Sequence, residues 1–224
     1  MDATGATQGR IDVISDAICP WCWIGKRQLE RALPVLADQG LHFTVAWLPF
    51  QLNPDMPAGG VDRQDYRAEK FGSLARSREA DARVAEAGAA VGLKFRHDLM
   101  RRTPNTIDAH RVIRLAGQHG VQNAVVEALF RGYFTEGADI GDHATLADLA
   151  GGAGLDPVAV AVMLAGEAGR QEVLAEDQSA RRGGLDGVPA FVMGGYVLFS
   201  GAVPADVMAE AFAKAWKVIG AGTA

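Results

Sequence analysis

The sequence predicts an α/β protein whose sheet is assembled from both ends of the chain, with a block of helices between them. Three observations carry this. Near the N-terminus, strand, helix and strand patterns follow at the spacing of a βαβ unit. Near the C-terminus, two strand patterns flank Gly194-Gly195 and lead into a last helix. Residues 62–182, in between, carry no convincing strand and are dominated by Ala, Leu, Arg and Glu.

Residues 1–9 are polar and read as a frayed tail. Ile11, Val13 and Ile14 mark a buried strand over 10–15. Trp23, Ile24, Leu29, Leu33 and Leu36 then recur at helical spacing, which predicts a helix over 20–38 that Pro34 kinks and Gly40 ends. Residues 41–48 form the second strand, parallel to the first because a right-handed crossover joins them. Pro49, Pro54, Pro57 and Gly59-Gly60 turn 50–61 into a loop.

The middle block opens with helical composition over 73–91 and a basic connecting loop at 96–102. Asn105 is a suitable N-cap for a helix running to Gln118, with Asp108 at the capping-box position. Val125, Leu129 and Phe130 share one face of a helix over 121–134. Asp156-Pro157 supplies a cap and a first-turn proline for a helix through Leu164, and 167–182 is helical and polar. Strands at 188–193 and 196–200 follow, then a helix over 204–218 with Val207, Met208, Ala211, Phe212 and Ala215 on one stripe. This order is that of a thioredoxin-like fold with an all-α helical domain inserted in its middle. Residues 1–61 and 183–224 form its two halves, and 62–182 form the insertion.

Composition narrows the function. The chain has 224 residues, 49% of them hydrophobic, enough for a sizeable core. A net charge of −5 with scattered basic residues argues against nucleic acid or an anionic membrane as partner. The longest apolar run, 158–165, is too short to span a bilayer, and the polar N-terminus shows no signal peptide, so a cytoplasmic location is expected.

Chemistry concentrates at Cys19-Pro20-Trp21-Cys22, placed where the first strand gives way to the first helix. These are the chain's two cysteines. A structural disulfide closing so short a loop stabilises by only about 2 kcal/mol. A zinc site needs about four ligands. No second C-x-x-C exists, and His42, His97, His110, His119 and His143 contain no pair at finger spacing, so no metal is expected. A dithiol/disulfide couple remains as the main reading. Pro20 suits the first helical turn, which sets Cys19 against the orphan amides and positive dipole end of the helix. Its thiolate is expected to be stabilised, with a pKa between about 3.5 and 7. Cys19 is then the nucleophile, and Cys22, one turn further in, resolves the mixed disulfide. Trp21 places no imidazolium beside the thiolate, which predicts a couple less oxidising than one with histidine between the cysteines.

Pro189 follows Gly187-Val188 at the start of a strand. A trans proline opening a strand is the ordinary reading. In a thioredoxin arrangement it instead faces the C-x-x-C and is expected to be cis, leaving the Val188 backbone free to pair with an extended substrate.

Four separated segments, 15–22, 49–57, 103–111 and 187–191, resemble the FrnE-like branch of the DsbA family in residues and order. The resemblance implies a thioredoxin fold with a helical insertion, thiol–disulfide oxidoreductase activity, a redox pair at Cys19 and Cys22, and a cis Pro189. Wider relatives, the glutathione-dependent 2-hydroxychromene-2-carboxylate isomerases and kappa-class glutathione transferases, typically carry Ser at the position of Cys19. The two cysteines therefore favour the disulfide branch, with no resident cofactor and glutathione open as reductant or ligand. Disulfide- or thiol-bearing proteins or small molecules are the expected partners, and a homodimer is compatible with the sequence. The competing readings are a glutathione-dependent isomerase or transferase acting on a small aromatic compound, and a redox-regulated binding protein or chaperone.

Around this centre, Asn53 lies on a loop that the resemblance places beside the active-site groove, although Asn-Pro also suits a plain turn. Asn105 and His110 are candidates to face the thiols from the helical block. Lys26 and Asp16 are candidates to tune the thiols or move their protons.

Overall fold

In the computed structural model, residues 7–221 are described. A four-stranded sheet in the order β2-β1-β5-β6 forms the frame. β1 (Thr7–Ser15) lies inside, parallel to β2 (Leu41–Pro49) with Ile11 opposite Val45, and antiparallel to β5 (Ala190–Met193) with Val13 opposite Phe191. β6 (Tyr196–Ser200) forms the edge. Gly194 and Gly195 both take positive φ, as a tight hairpin turn requires. The first strand begins earlier than the tail expectation allowed, because Thr7, Gln8 and Gly9 pair with Leu41, His42 and Phe43; residues 1–6 of that tail lie outside the described residues.

α1 (Pro20–Ala37) crosses from β1 to β2 and packs against α9 (Ala205–Ala221). Along α9, Met208 and Phe212 are fully buried, whereas Val207 is 48% exposed. The stripe expected there is therefore rotated by one position, with Ala209 rather than Val207 on its buried side.

The intervening segment is helical apart from one small ribbon: β3 (Val61–Asp62) pairs with β4 (Arg102–Thr103), where the sequence pattern suggests loop. Two residues per strand are too few to show an alternating pattern. Between them run α2 (Arg63–Phe71), capped by the Asp62 carboxylate, and α3 (Leu74–Ala90), capped by Ser73. Then come α4 (Ile107–Gln118), α5 (Gln122–Arg131) ending in a π-turn at Gly132–Glu136, α6 (His143–Gly152), α7 (Pro157–Ala165) and α8 (Arg170–Arg182). Asp156 caps α7 as expected, with Pro157 in its first turn. At α4 the capping differs. Thr106 precedes the helix, Asn105 Oδ1 accepts from the Ile107 N–H, and Asp108 turns outward to Arg111 and His143. A buried guanidinium within reach outcompetes the backbone for that carboxylate.

α4, α5 and α8 pack on β2, so one continuous core joins the sheet to the helical block. Trp23 of α1 stacks on Phe134 at 5.9 Å and on Phe130 at 6.2 Å, and its indole N–H donates to Glu127. These contacts hold the helices over the N-terminal end of α1, where the cysteines sit.

Candidate active site

Cys19 is the N-cap residue of α1, with extended backbone and Pro20 at the first helical position. Its amide donates to the Asp16 carbonyl and its carbonyl accepts from the Cys22 N–H, both at 3.0 Å, which tightens the chain into the helix start. Both cysteines are free thiols. Cys19 is 4% exposed and borders a cleft of about 390 Å³; Cys22 is fully buried and does not line it.

Pro189 follows a cis peptide bond from Val188. A Cβ on Gly25 of α1 would meet Pro189 Cγ at 3.0 Å, so a glycine one turn beyond Cys22 lets the proline lie against the helix. The Cys19 thiol donates to the Val188 carbonyl at 3.5 Å. Among the described residues, neither the Val188 N–H nor its carbonyl takes a backbone partner. The geometry thus brings Cys19, Cys22, Val188 and Pro189 together.

Beyond Pro20 and Trp21, the lining of the cleft was not singled out in the sequence. Ile18, Pro20, Trp21 and Leu52 form an apolar floor beside the sulfur, and α2 and α3 supply the opposite wall. That wall carries Arg63, Arg67, Lys70 and Arg83 against the single carboxylate of Asp81. Arg63 and Arg67 share Asp81 at 3.0 and 2.5 Å. Lys70 donates to the Tyr66 hydroxyl at 2.8 Å, and Arg67 stacks over Phe71 at 4.1 Å. Burial holds the His97 pKa below its ordinary value, and Arg63 and Arg67 add to this against the pull of Asp81. The wall is therefore cationic without His97. A charge-spacing signal did exist, in Arg63, Arg67 and Lys70 at helical intervals.

Asn53 does not reach this cleft. Its Oδ1 accepts from Tyr66 at 2.7 Å, and it lines a neighbouring groove with Met56 and Pro57. Asn105 is also turned away from the thiols, its amide donating to the Met56 carbonyl at 2.7 Å. Both side chains tie down the loop after β2. Lys26 is buried but pairs with Glu30 and, at 3.0 Å, with Glu127, which directs its charge away from the thiols. His110 approaches the site from behind: its Nε2 lies 3.3 Å from Oδ1 of Asp16, a fully buried carboxylate.

Burial pushes the Cys22 thiol well up from its ordinary pKa, and the hydrogen bond and charge of Cys19 push it further. The Asp16 backbone opposes this, while the Asp16 charge adds to it. A thiol whose folded pKa exceeds its unfolded value of about 8.5 stabilises the fold fully below that pH and loses the contribution as pH rises toward the folded pKa. The reduced protein is therefore expected to lose stability above about pH 9, and Cys22→Ala to flatten that slope. Denaturant titration at pH 7, 9 and 10 checks this; equal slopes for the two proteins would contradict it.

A family model described as a DSBA-like thioredoxin domain matches residues 10–213. The chain belongs to this family. It is 33% identical to a solved structure described as a probable DsbA oxidoreductase from Streptomyces coelicolor, covering 93% of this chain and 90% of that one with a TM-score of 0.84. The fold is shared more distantly with a 2-hydroxychromene-2-carboxylate isomerase (15% identity, 96% and 99% covered, TM-score 0.68). It is shared too with the cytosolic disulfide reductase DsbM from Pseudomonas aeruginosa, solved with GSH (20% identity, 85% and 89% covered, TM-score 0.57). As a member of the DSBA-like family, the chain is of the thiol–disulfide oxidoreductase type, and Cys19 and Cys22 form its C-x-x-C. Among the described residues, no helix is long and apolar enough to cross a membrane.

Proposed function

We propose that this protein exchanges disulfides with small, acidic thiol compounds of the glutathione class and with extended peptide segments, acting in the cytosol. The observation that carries this reading is the placement of Cys19. It lies at a helix N-cap, within hydrogen-bonding range of the Val188 carbonyl just before β5, on a cleft with a cationic wall.

The chemistry follows from that placement. The Cys19 sulfur sits at the orphan amides and positive dipole end of α1, and exchange proceeds through its deprotonated form. The thiolate attacks a substrate disulfide, forming a mixed disulfide at Cys19 and releasing one substrate thiolate. Cys22 then loses its proton and attacks the Cys19 sulfur. The second substrate thiolate leaves, and the couple ends as a disulfide, two electrons having passed to the substrate. Two equivalents of a reducing thiol return the couple to its starting state, and the same steps run backward oxidise a dithiol. The surroundings' redox poise against the couple's potential sets the direction. Val188 offers its N–H and carbonyl to the substrate main chain, while the surplus of guanidinium and ammonium groups favours substrates bearing carboxylates.

Cys22→Ala tests this directly. The variant is expected to accumulate a one-to-one mixed disulfide at Cys19 when mixed with oxidised glutathione, read by intact mass. Labelling by an uncharged disulfide of similar size should be slower, and added salt should narrow the difference. Absence of any adduct would remove the proposed chemistry. Equal rates for the two probes would remove the acidic-substrate assignment.

A further inference from the structure

Cys22 raises a question of proton traffic. Each resolving attack requires its proton to leave and each reduction requires one to arrive, yet the sulfur is fully buried and does not line the substrate cleft. Asp16 is also fully buried, and it is near enough that its backbone and its charge both act on the Cys22 thiol. One carboxylate oxygen, Oδ2, accepts from the Leu52 N–H at 2.7 Å. Among the described residues the other, Oδ1, has no hydrogen-bond partner, and neither does His110 Nε2, which sits 3.3 Å from it. Two buried polar atoms left unsatisfied side by side cost stability. Such a pair is expected where a proton is sometimes present between them and sometimes not.

His110 also lines a second cleft, of about 580 Å³, bounded by β2, α4 and the start of α5. This cleft shares no lining residue with the one at Cys19. We propose that His110 connects the Asp16 carboxylate to this rear cleft, so that the Cys22 proton enters and leaves through the back of the fold while substrate occupies the front. The proposal rests on the dithiol chemistry given above.

In the resolving direction, the Cys22 proton passes to Asp16 Oδ1, leaving the thiolate that forms the new S–S bond. Asp16 hands the proton to His110 Nε2, with His110 in its Nδ1–H tautomer. The resulting imidazolium releases its Nδ1 proton to water in the rear cleft. Reduction of the couple runs the sequence backward. His110 acts through Asp16 and is a positioning residue for this proton. The ionisable groups around the path are Cys19 and Cys22 on α1, Tyr133 in the π-turn, and Arg10, Arg114 and Glu176 around the rear cleft. Glu176 is paired with Arg114. Beside Leu52, the Gln51 N–H donates to Asp177, which is itself paired with Arg181. Glu176 and Asp177 are thus each compensated by an arginine.

The test uses the full-length chain loaded at Cys19 with glutathione, following release of that glutathione by stopped flow from pH 5.5 to 9. His110→Gln is expected to lower the ratio of the resolution rate to the Cys19 attack rate on the order of 10- to 100-fold at pH 7. It should also remove the imidazole step from the pH profile. In His110→Gly, added imidazole should restore the rate by entering from the rear cleft. An unchanged ratio and profile in His110→Gln would overturn the proposal, as would failure of imidazole to accelerate a folded His110→Gly. Should either variant misfold, Asp16→Asn, which keeps the shape of the carboxylate, still decides: it should lower the same ratio, and an unchanged ratio would overturn the route. A wild-type protein that never forms the Cys19 adduct would instead refute the functional reading, which separates the two failures.

Discussion

Replacing Cys19 with serine is expected to abolish disulfide exchange, with turnover falling by a factor on the order of 10⁴ or more, the scale on which loss of a nucleophile falls. Oxygen cannot form the S–S bond on which both steps depend, and a serine hydroxyl stays protonated where a thiol ionises. The Cys19→Ser protein retains an N-cap residue, the Pro20 start and the packing of α1, so the fold should persist with an unchanged melting temperature. Insulin reduction and reduction of oxidised glutathione are the measurements. Cys22→Ala should behave differently, reacting once and stopping at the mixed disulfide. Should Cys19→Ser retain small-molecule turnover, an isomerase-type reaction would have to replace the dithiol reading. Retained client binding without turnover would point to a chaperone.

The second large effect concerns stability rather than chemistry. Arg111 is 3% exposed, and its guanidinium donates to the carbonyls of Ala168, Met163 and Gly166 at 2.8, 2.7 and 2.6 Å. It also donates to the Asp108 carboxylate at 2.7 Å. One side chain thus satisfies the open C-terminus of α7 and the loop that leads into α8. Arg111→Met keeps much of the volume but strands these acceptors and leaves Asp108 without its buried cation. The expected loss is about 3–5 kcal/mol, the usual result of removing one partner of a buried pair. At this chain length that corresponds to a melting temperature lower by about 10 °C. Thermal unfolding followed by circular dichroism checks it. A shift below about 3 °C would mean that water or another side chain takes over the carbonyls.

Arg111 also illustrates what local pattern reading misses. It lies next to His110 within a segment singled out in the sequence, yet nothing nearby in the chain says that three carbonyls more than fifty residues away converge on it. The same holds for the cationic wall. Arg63, Arg67 and Lys70 are visible as a helical charge pattern, but a charged helix face ordinarily meets solvent. The packing of α3 on α1, and of α2 on α3 and the β3–β4 ribbon, brings that face to the cleft at the sulfur. Asn53 and Asn105 err in the other direction. The family resemblance suggested the groove for both, and their amides are held by loop contacts closer at hand.

What the amino-acid order determined by itself is the local chemistry. Two cysteines a helical turn apart behind a strand, a proline in the first turn, and a Gly-Val-Pro entering a late strand define the dithiol and the strand edge that meets it, because each depends on neighbours within a few residues. What tertiary structure alone decided is the environment of that dithiol: which charges face Cys19, and what stands behind Cys22. Those depend on side chains such as Asp16 and His110, ninety-four positions apart, meeting at 3.3 Å. Contacts of that separation arise from packing two faces of a core together, and no periodicity along the chain records them.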